Sequence, residues 1–207
     1  MVNRSDSKST TRSFWYGSLL FLTLLLTAVT PASSADDQKT ATIGATAMGT
    51  STQLGKNVSI KVIISQFSTP EDRQVRVAAF QKGQTPGLVD ALSKMKPVGR
   101  IAITGTLGYD LAYIRLIRTP TGRKIRFATD RLIRFGEAYH NTQSKVFDLT
   151  AGEFDLNDAD KDKSTGVLFP ACQLIINKKG KLQFELRQNA WKLVNIIDWD
   201  KAGMERQ

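Results

Sequence analysis

The sequence predicts an α+β domain dominated by antiparallel sheet, about seven or eight strands curled into a partial barrel or sandwich, with two short helices on one side or end. Three observations carry this: the dominant hydrophobic period is two, two hairpins can be registered by counting, and two Thr-Pro dipeptides open stretches of helical period. No repeat, low-complexity tract or Pro/Ser-rich linker follows about Lys39, so 36–207 reads as one globular domain. A single Cys excludes an intramolecular disulfide framework, which leaves burial to supply the stability.

The first 35 residues read as a signal peptide. Arg4, Lys8 and Arg12 precede an apolar run from Phe14 to Val29, Pro31 breaks it, and Ser33 and Ala35 stand at the −3 and −1 positions of a cleavage site. At about 1.5 Å per residue this run falls short of the roughly 30 Å hydrocarbon core, so it predicts a cleaved leader and no transmembrane span thereafter. No Cys near the site marks a lipoprotein, and no twin Arg marks export in the folded state. Cleavage removes three cations and one carboxylate, leaving 172 residues with a net charge of +8, in the periplasm or outside the cell.

The first strand signal is Val58, Ile60, Val62 and Ile64, alternating with Asn57, Ser59 and Lys61, and a second covers 100–105. Between them, Thr69-Pro70 and Thr85-Pro86 each offer Thr as N-cap and Pro as first helical residue. The first helix would present Val75, Ala79 and Phe80 before Gly83, and the second Leu88, Leu92 and Met95 before Pro97. Both stripes read as core.

Beyond Tyr109, a hairpin turns at Thr119-Pro120-Thr121-Gly122, which sets Arg118 opposite Arg123. Counting back, Leu116 meets Ile125, Ile114 meets Phe127 and Ala112 meets Thr129 on an apolar face. The other face pairs Ile117 with Lys124, Arg115 with Arg126, Tyr113 with Ala128 and Leu111 with Asp130. A one-residue slip would scramble both faces. The second hairpin turns at Lys178-Lys179-Gly180, so that Ile176, Leu174 and Cys172 meet Leu182, Phe184 and Leu186. This apolar face is expected to cover the core, and Trp191, Leu193, Ile197 and Trp199 to add a last strand or dock on the sheet.

The candidate site is the cationic face of the first hairpin, Arg115, Lys124 and Arg126. Like charges on neighbouring strands destabilise a sheet unless an anion lies between them. That anion is either an external ligand or this chain's own acidic stretch with Glu153, Asp155, Asp158, Asp160 and Asp162. Tyr109, Tyr113, Phe127 and Phe135 lie among the basic residues as in a nucleic-acid platform, but Phe127 falls on the apolar face and export disfavours nucleic acid.

Other motifs fail on a required residue. Asp158, Asp160 and Asp162 begin like a calcium loop, but Lys163 replaces its Gly and Phe169 its bidentate Glu. Residues 44–51 miss the phosphate-binding loop because Thr50 stands in place of Lys. Its glycines read as bends in an early strand or turn. One His and one Cys cannot form a Cys/His zinc site, and no metal or cofactor is assigned. Cys172 reads as a buried hydrophobe and His140 as a surface residue. Glu137, Glu153 and Asp155 could furnish paired carboxylates, but sequence gives no separation, so no catalytic residue is named.

Ser164-Thr165-Gly166-Val167-Leu168-Phe169-Pro170 and the ending Trp191-Lys192-Leu193-Val194-Asn195-Ile196-Ile197-Asp198-Trp199 are similar to a family of exported bacterial proteins of unknown function. That resemblance implies an envelope or secreted setting and no activity. The function expected is therefore a non-catalytic binding protein of the envelope. Its partner would be an anionic component, a lipid headgroup or polysaccharide, or a protein. The alternatives are a structural or subunit-interaction protein and a carboxylate-dependent hydrolase.

Overall fold

In the computed structural model, which describes residues 40–133 and 147–200, the period of two becomes one antiparallel sheet. Its strands are β1 (Ala41–Met48), β2 (Asn57–Ile64), β3 (Gly99–Ile103), β4 (Tyr109–Leu111), β5 (Tyr113–Thr119), β6 (Gly122–Thr129), β7 (Leu149–Asn157), β8 (Thr165–Ile176), β9 (Leu182–Leu186) and β10 (Trp191–Asp198). The order is β4-β3-β2-β1-β10-β8-β7-β6-β5, with β9 also paired to β8. The two ends of that path are consecutive in the chain: β4 and β5 are one run bent at Ala112, pairing with β3 on one half and β6 on the other. The sheet is thus a nearly closed barrel of nine strands with β9 added to β8 off the ring, ten in all, where seven or eight were expected. One added strand is β7, whose Glu153 and Asp155 disguise it as an acidic loop although Gly152, Phe154 and Leu156 alternate inward between them.

The predicted targeting segment 1–35 lies outside the described residues, as do Phe135, Glu137, Tyr139 and His140. Everything described belongs to one unit, Ser33–Gln207.

Inside the barrel the strands contribute Ile43, Ile60, Val62, Ile101, Ile114, Phe127, Phe154, Leu168, Trp191 and Leu193, all at most 2 % exposed. The interior is filled by side chains. Most charged strand side chains, Lys61, Lys124, Arg126, Glu153, Asp155 and Lys192 among them, lie on the outer face, with Arg123 and Asp198 inward at one end. No helix among the described residues is long and apolar enough to cross a membrane.

The two predicted helices are a single element, α1 (Pro70–Ser93), broken by a non-helical Gln84 at φ 53° and ψ −147°. Thr69 opens it with a capping box: its hydroxyl accepts from the Asp72 N–H, and the Asp72 carboxylate accepts from the Thr69 N–H. Thr85 does not act as a second cap. Its hydroxyl donates to the Leu174 carbonyl (2.7 Å) and accepts from the Leu174 N–H (2.8 Å), standing in for a neighbouring strand on β8. Leu88 and Leu92 then pack with Leu149, Cys172 and Ala112 as a second core on the outside of the barrel. In the first half of α1, Val75 is exposed and Arg76 is buried. The Arg76 guanidinium lies 4.5 Å over the Tyr113 ring and donates to the Ala112 carbonyl at the strand bend (2.8 Å), so the bend selects the cation over the valine. Burial lowers the Arg76 pKa, while Asp72 and Tyr113 oppose the shift.

Two bulges reset which residues face inward. Opposite Thr150, β8 places both Pro170 and Ala171, a position a strand proline tolerates, and the outward set changes from Val167 and Phe169 to Cys172 and Leu174. In β10 the register slips at Asn195, whose φ is +49°, and the inward set changes from Trp191 and Leu193 to Ile196 and Asp198. Ile197 and Trp199, expected on the sheet, are consequently half exposed.

The second hairpin has the predicted register, Ile176 opposite Leu182, Leu174 opposite Phe184 and Cys172 opposite Leu186. Its apolar face covers the core only at Cys172 and Leu174. Ile176, Leu182, Phe184 and Leu186 are exposed, because β7 reaches no further along β8 than Cys172.

Candidate functional site

The first hairpin has the predicted register from Arg118 opposite Arg123 back to Tyr113 opposite Ala128, so Arg115 of β5 lies opposite Arg126 of β6 with Lys124 two residues along; beyond the bend at Ala112 the expected pairing of Leu111 with Asp130 gives way to pairing with Gly99 of β3. What the sequence left open is the third strand. β7 runs along the other side of β6 with Glu153 opposite Arg126 and Asp155 opposite Lys124. The Lys124 ammonium donates to Asp155 Oδ2 at 2.6 Å and reaches Glu153 Oε1 at 3.5 Å, while Arg126 Nε donates to Glu153 Oε2 at 2.5 Å. The hydrogen bond to Asp155 raises the Lys124 pKa, against a smaller opposing effect of desolvation. Two of the three candidate cations are therefore matched by β7. Arg115 has no salt bridge among the described residues, and the five side chains together carry one net positive charge.

The remaining predicted acids are dispersed. Asp160 accepts from the Asp162 N–H (3.2 Å) and pairs with Lys163 (3.0 Å), a hydrogen bond that lowers the Asp160 pKa. Asp158 pairs with Arg123 (3.3 Å). Among the described residues no group of three or more His, Cys, Asp or Glu side chains is placed to hold a metal ion. In the 44–51 stretch, Gly44 lies in β1 under Trp199, and Gly49 approaches the Gln53 carbonyl so closely that a Cβ would meet it at 2.1 Å. These contacts give both glycines packing roles. Cys172 is fully buried, and desolvation pushes its thiol up to about 12.

Counting did not single out Arg123 and Asp198. Arg123 shares the inward parity of Ile125 and Phe127, and the β10 bulge turns Asp198 inward to meet it. Arg123 Nη2 donates to Asp198 Oδ2 at one end of the barrel, with side chains only 16 % and 13 % exposed. An arginine in phase with an apolar face was the available signal. Beside this pair is a cleft of about 570 Å³, lined by Asp158, Asp162, Asp198, Lys161, Asn157 and Asn195 together with apolar side chains. Its lining has more carboxylates than cations, the wrong sign for an anionic ligand. Asp158 and Asp198 both pair with Arg123.

The chain matches no protein-family model, no curated protein and no solved structure.

Proposed function

We propose that the protein is an exported, non-catalytic binding protein of the bacterial envelope, periplasmic or secreted, whose ligand is an anionic component of that envelope. The observation that carries this is Arg115. It faces Arg126 across the β5–β6 pair and has no carboxylate partner among the described residues, while Lys124 and Arg126 are already matched by Asp155 and Glu153. A phosphate, sulfate or uronate seated between Arg115 and Arg126 relieves that like-charge pair. The surplus of ten positive charges in the whole chain supports an anionic partner.

The test is binding to an anionic polysaccharide and to anionic vesicles at low and high salt, with Arg115→Glu beside the unmodified protein. Arg115→Glu is preferable to a change at Arg126, which would strand Glu153. The expected result is salt-sensitive binding that Arg115→Glu weakens about 25-fold, since reversal changes the local charge by two and each is worth about fivefold near an anionic surface. Absence of binding to every anionic probe at low salt would overturn the reading. The exposed apolar face of the β8–β9 hairpin favours a second reading, a structural or subunit-interaction protein.

A further inference from the structure

The end of the β8–β9 hairpin combines features that a water-facing hairpin does not need. Ile176 and Leu182 are paired across the strands and are 53 % and 57 % exposed, and Phe184 on the same face is 39 % exposed even with its ring stacked on Phe169 at 4.8 Å. At the tip, Lys178, Lys179 and Lys181 are all exposed, and none has a salt bridge to a described residue. No Asp or Glu occurs between Cys172 and Phe184. The turn that presents the lysines is ordered in advance: the Asn177 side-chain oxygen accepts from the N–H groups of Lys179 and Lys181 (3.0 Å each), and Gly180 supplies the left-handed residue at φ +71°.

We propose that this hairpin seats the protein on an anionic lipid bilayer, with Ile176, Leu182 and Phe184 entering the boundary between headgroups and acyl chains and the three lysines set against the lipid phosphates. The inference rests on the envelope reading above for its compartment, but on a different surface from Arg115. Charge decides the occupant. A protein groove that took the apolar face would have to supply carboxylates to three clustered ammonium groups, whereas an anionic bilayer presents apolar interior and phosphate at adjoining depths everywhere. Lysine suits that boundary because its alkyl stem lies along apolar surface while the ammonium stays at the headgroups.

The experiment uses the protein recovered after export from the producing cell, in the processed form that the cell delivers. Leu182→Cys is labelled with the environment-sensitive dye NBD, and Cys172, being buried, stays unlabelled. Vesicles of equal parts phosphatidylglycerol and phosphatidylcholine should shift the dye's emission to the blue and raise its intensity, and vesicles of phosphatidylcholine alone should not. In co-sedimentation, Lys178→Glu/Lys179→Glu/Lys181→Glu should lower partitioning at least about a hundredfold, at about fivefold per lysine. Phe184→Ser should lower it about tenfold while circular dichroism shows the sheet unchanged. A silent dye and an unaffected triple variant, in a protein that still binds anionic vesicles or polysaccharide through Arg115, would overturn the hairpin proposal alone. Binding to neither probe would overturn both readings. A blue shift only on addition of a purified protein partner would reassign the hairpin to a protein interface.

Discussion

Gly152 is the position where the barrel's register can be tested by one methyl group. It lies opposite Phe127 in the β6–β7 pair, and a Cβ placed on it would come within 2.3 Å of Phe127 Cζ, 2.7 Å of Cε2 and 2.9 Å of Cε1. Carbon atoms in contact sit about 3.5–4.0 Å apart, so ring or backbone must move by about 1 Å. Neither has room. Phe127 is 2 % exposed against Phe154 at 5.7 Å, and residue 152 is paired on one side to β6 and on the other to Leu168 of β8. Overpacking of this kind costs about 1–3 kcal/mol, or about 2–12 °C in Tm for a domain of this size. An unobstructed Gly→Ala change in a strand would instead stabilise by about 0.5–1 kcal/mol, so the sign alone is informative. Denaturant and thermal unfolding of Gly152→Ala, Phe127→Leu and the double variant form the assay. The shorter leucine frees the space the new methyl needs, and the two changes should couple by about 1 kcal/mol or more in the relieving direction. Gly152→Ala as stable as the parent, or a cycle additive within about 0.5 kcal/mol, would refute the facing of Phe127 and Gly152.

Two further predictions follow from the buried polar groups. Arg123→Met strands the Asp198 carboxylate at the barrel end and should cost about 2–3 kcal/mol after allowance for partial exposure, whereas Arg123→Met/Asp198→Leu should recover most of it; urea midpoints measure both, and a neutral single variant would remove the pair from the account. Cys172 should resist Ellman's reagent at pH 8 in the native protein and react fully once unfolded. Because its thiol goes from an ordinary value near 9 up to about 12 on folding, the unfolded state ionises first and stability falls as pH rises from 9 to 12, by about 1.4 kcal/mol per unit at most. Cys172→Ala should lack that slope, and equal slopes in the two proteins would contradict the burial.

Both hairpins are legible where a turn residue and a two-residue period point the same way, from Gly122 back to Tyr113 and from Gly180 back through Cys172, but the pairing counted for Ala112 and Leu111 fails because the chain bends at Ala112 and Leu111 joins β3. The same counting located the cationic candidates but could not tell that β7 would lie beside β6, because a ladder between strands joined through residues 130–148 leaves no local mark in sequence. The helix break was legible at Gly83 and Pro86, but Thr85 was read as a cap. The hydroxyl that would cap a helix is the same group that completes the exposed edge of β8 at Leu174.

The clearest failure of counting has one physical origin. A period-two argument carries a residue's face along the strand only while one residue opposes one, and at Pro170 and Asn195 two oppose one. At Asn195 that extra residue has three consequences at once: Ile197 and Trp199 turn outward against expectation, and Asp198 turns inward. Arg123 is held on the inward face by the alternation of β6, where Asp158 just past β7 reaches it at 3.3 Å and the inward turn of β10, a strand not paired to β6, brings Asp198 as a second and more buried carboxylate. The bulge thus adds a largely buried carboxylate beside a charged residue that lies in an apolar phase and is already paired with Asp158. A strand asparagine ahead of an apolar-polar alternation, opposite a sheet that carries an arginine in its apolar phase, is the pattern that makes such a reversal readable from sequence.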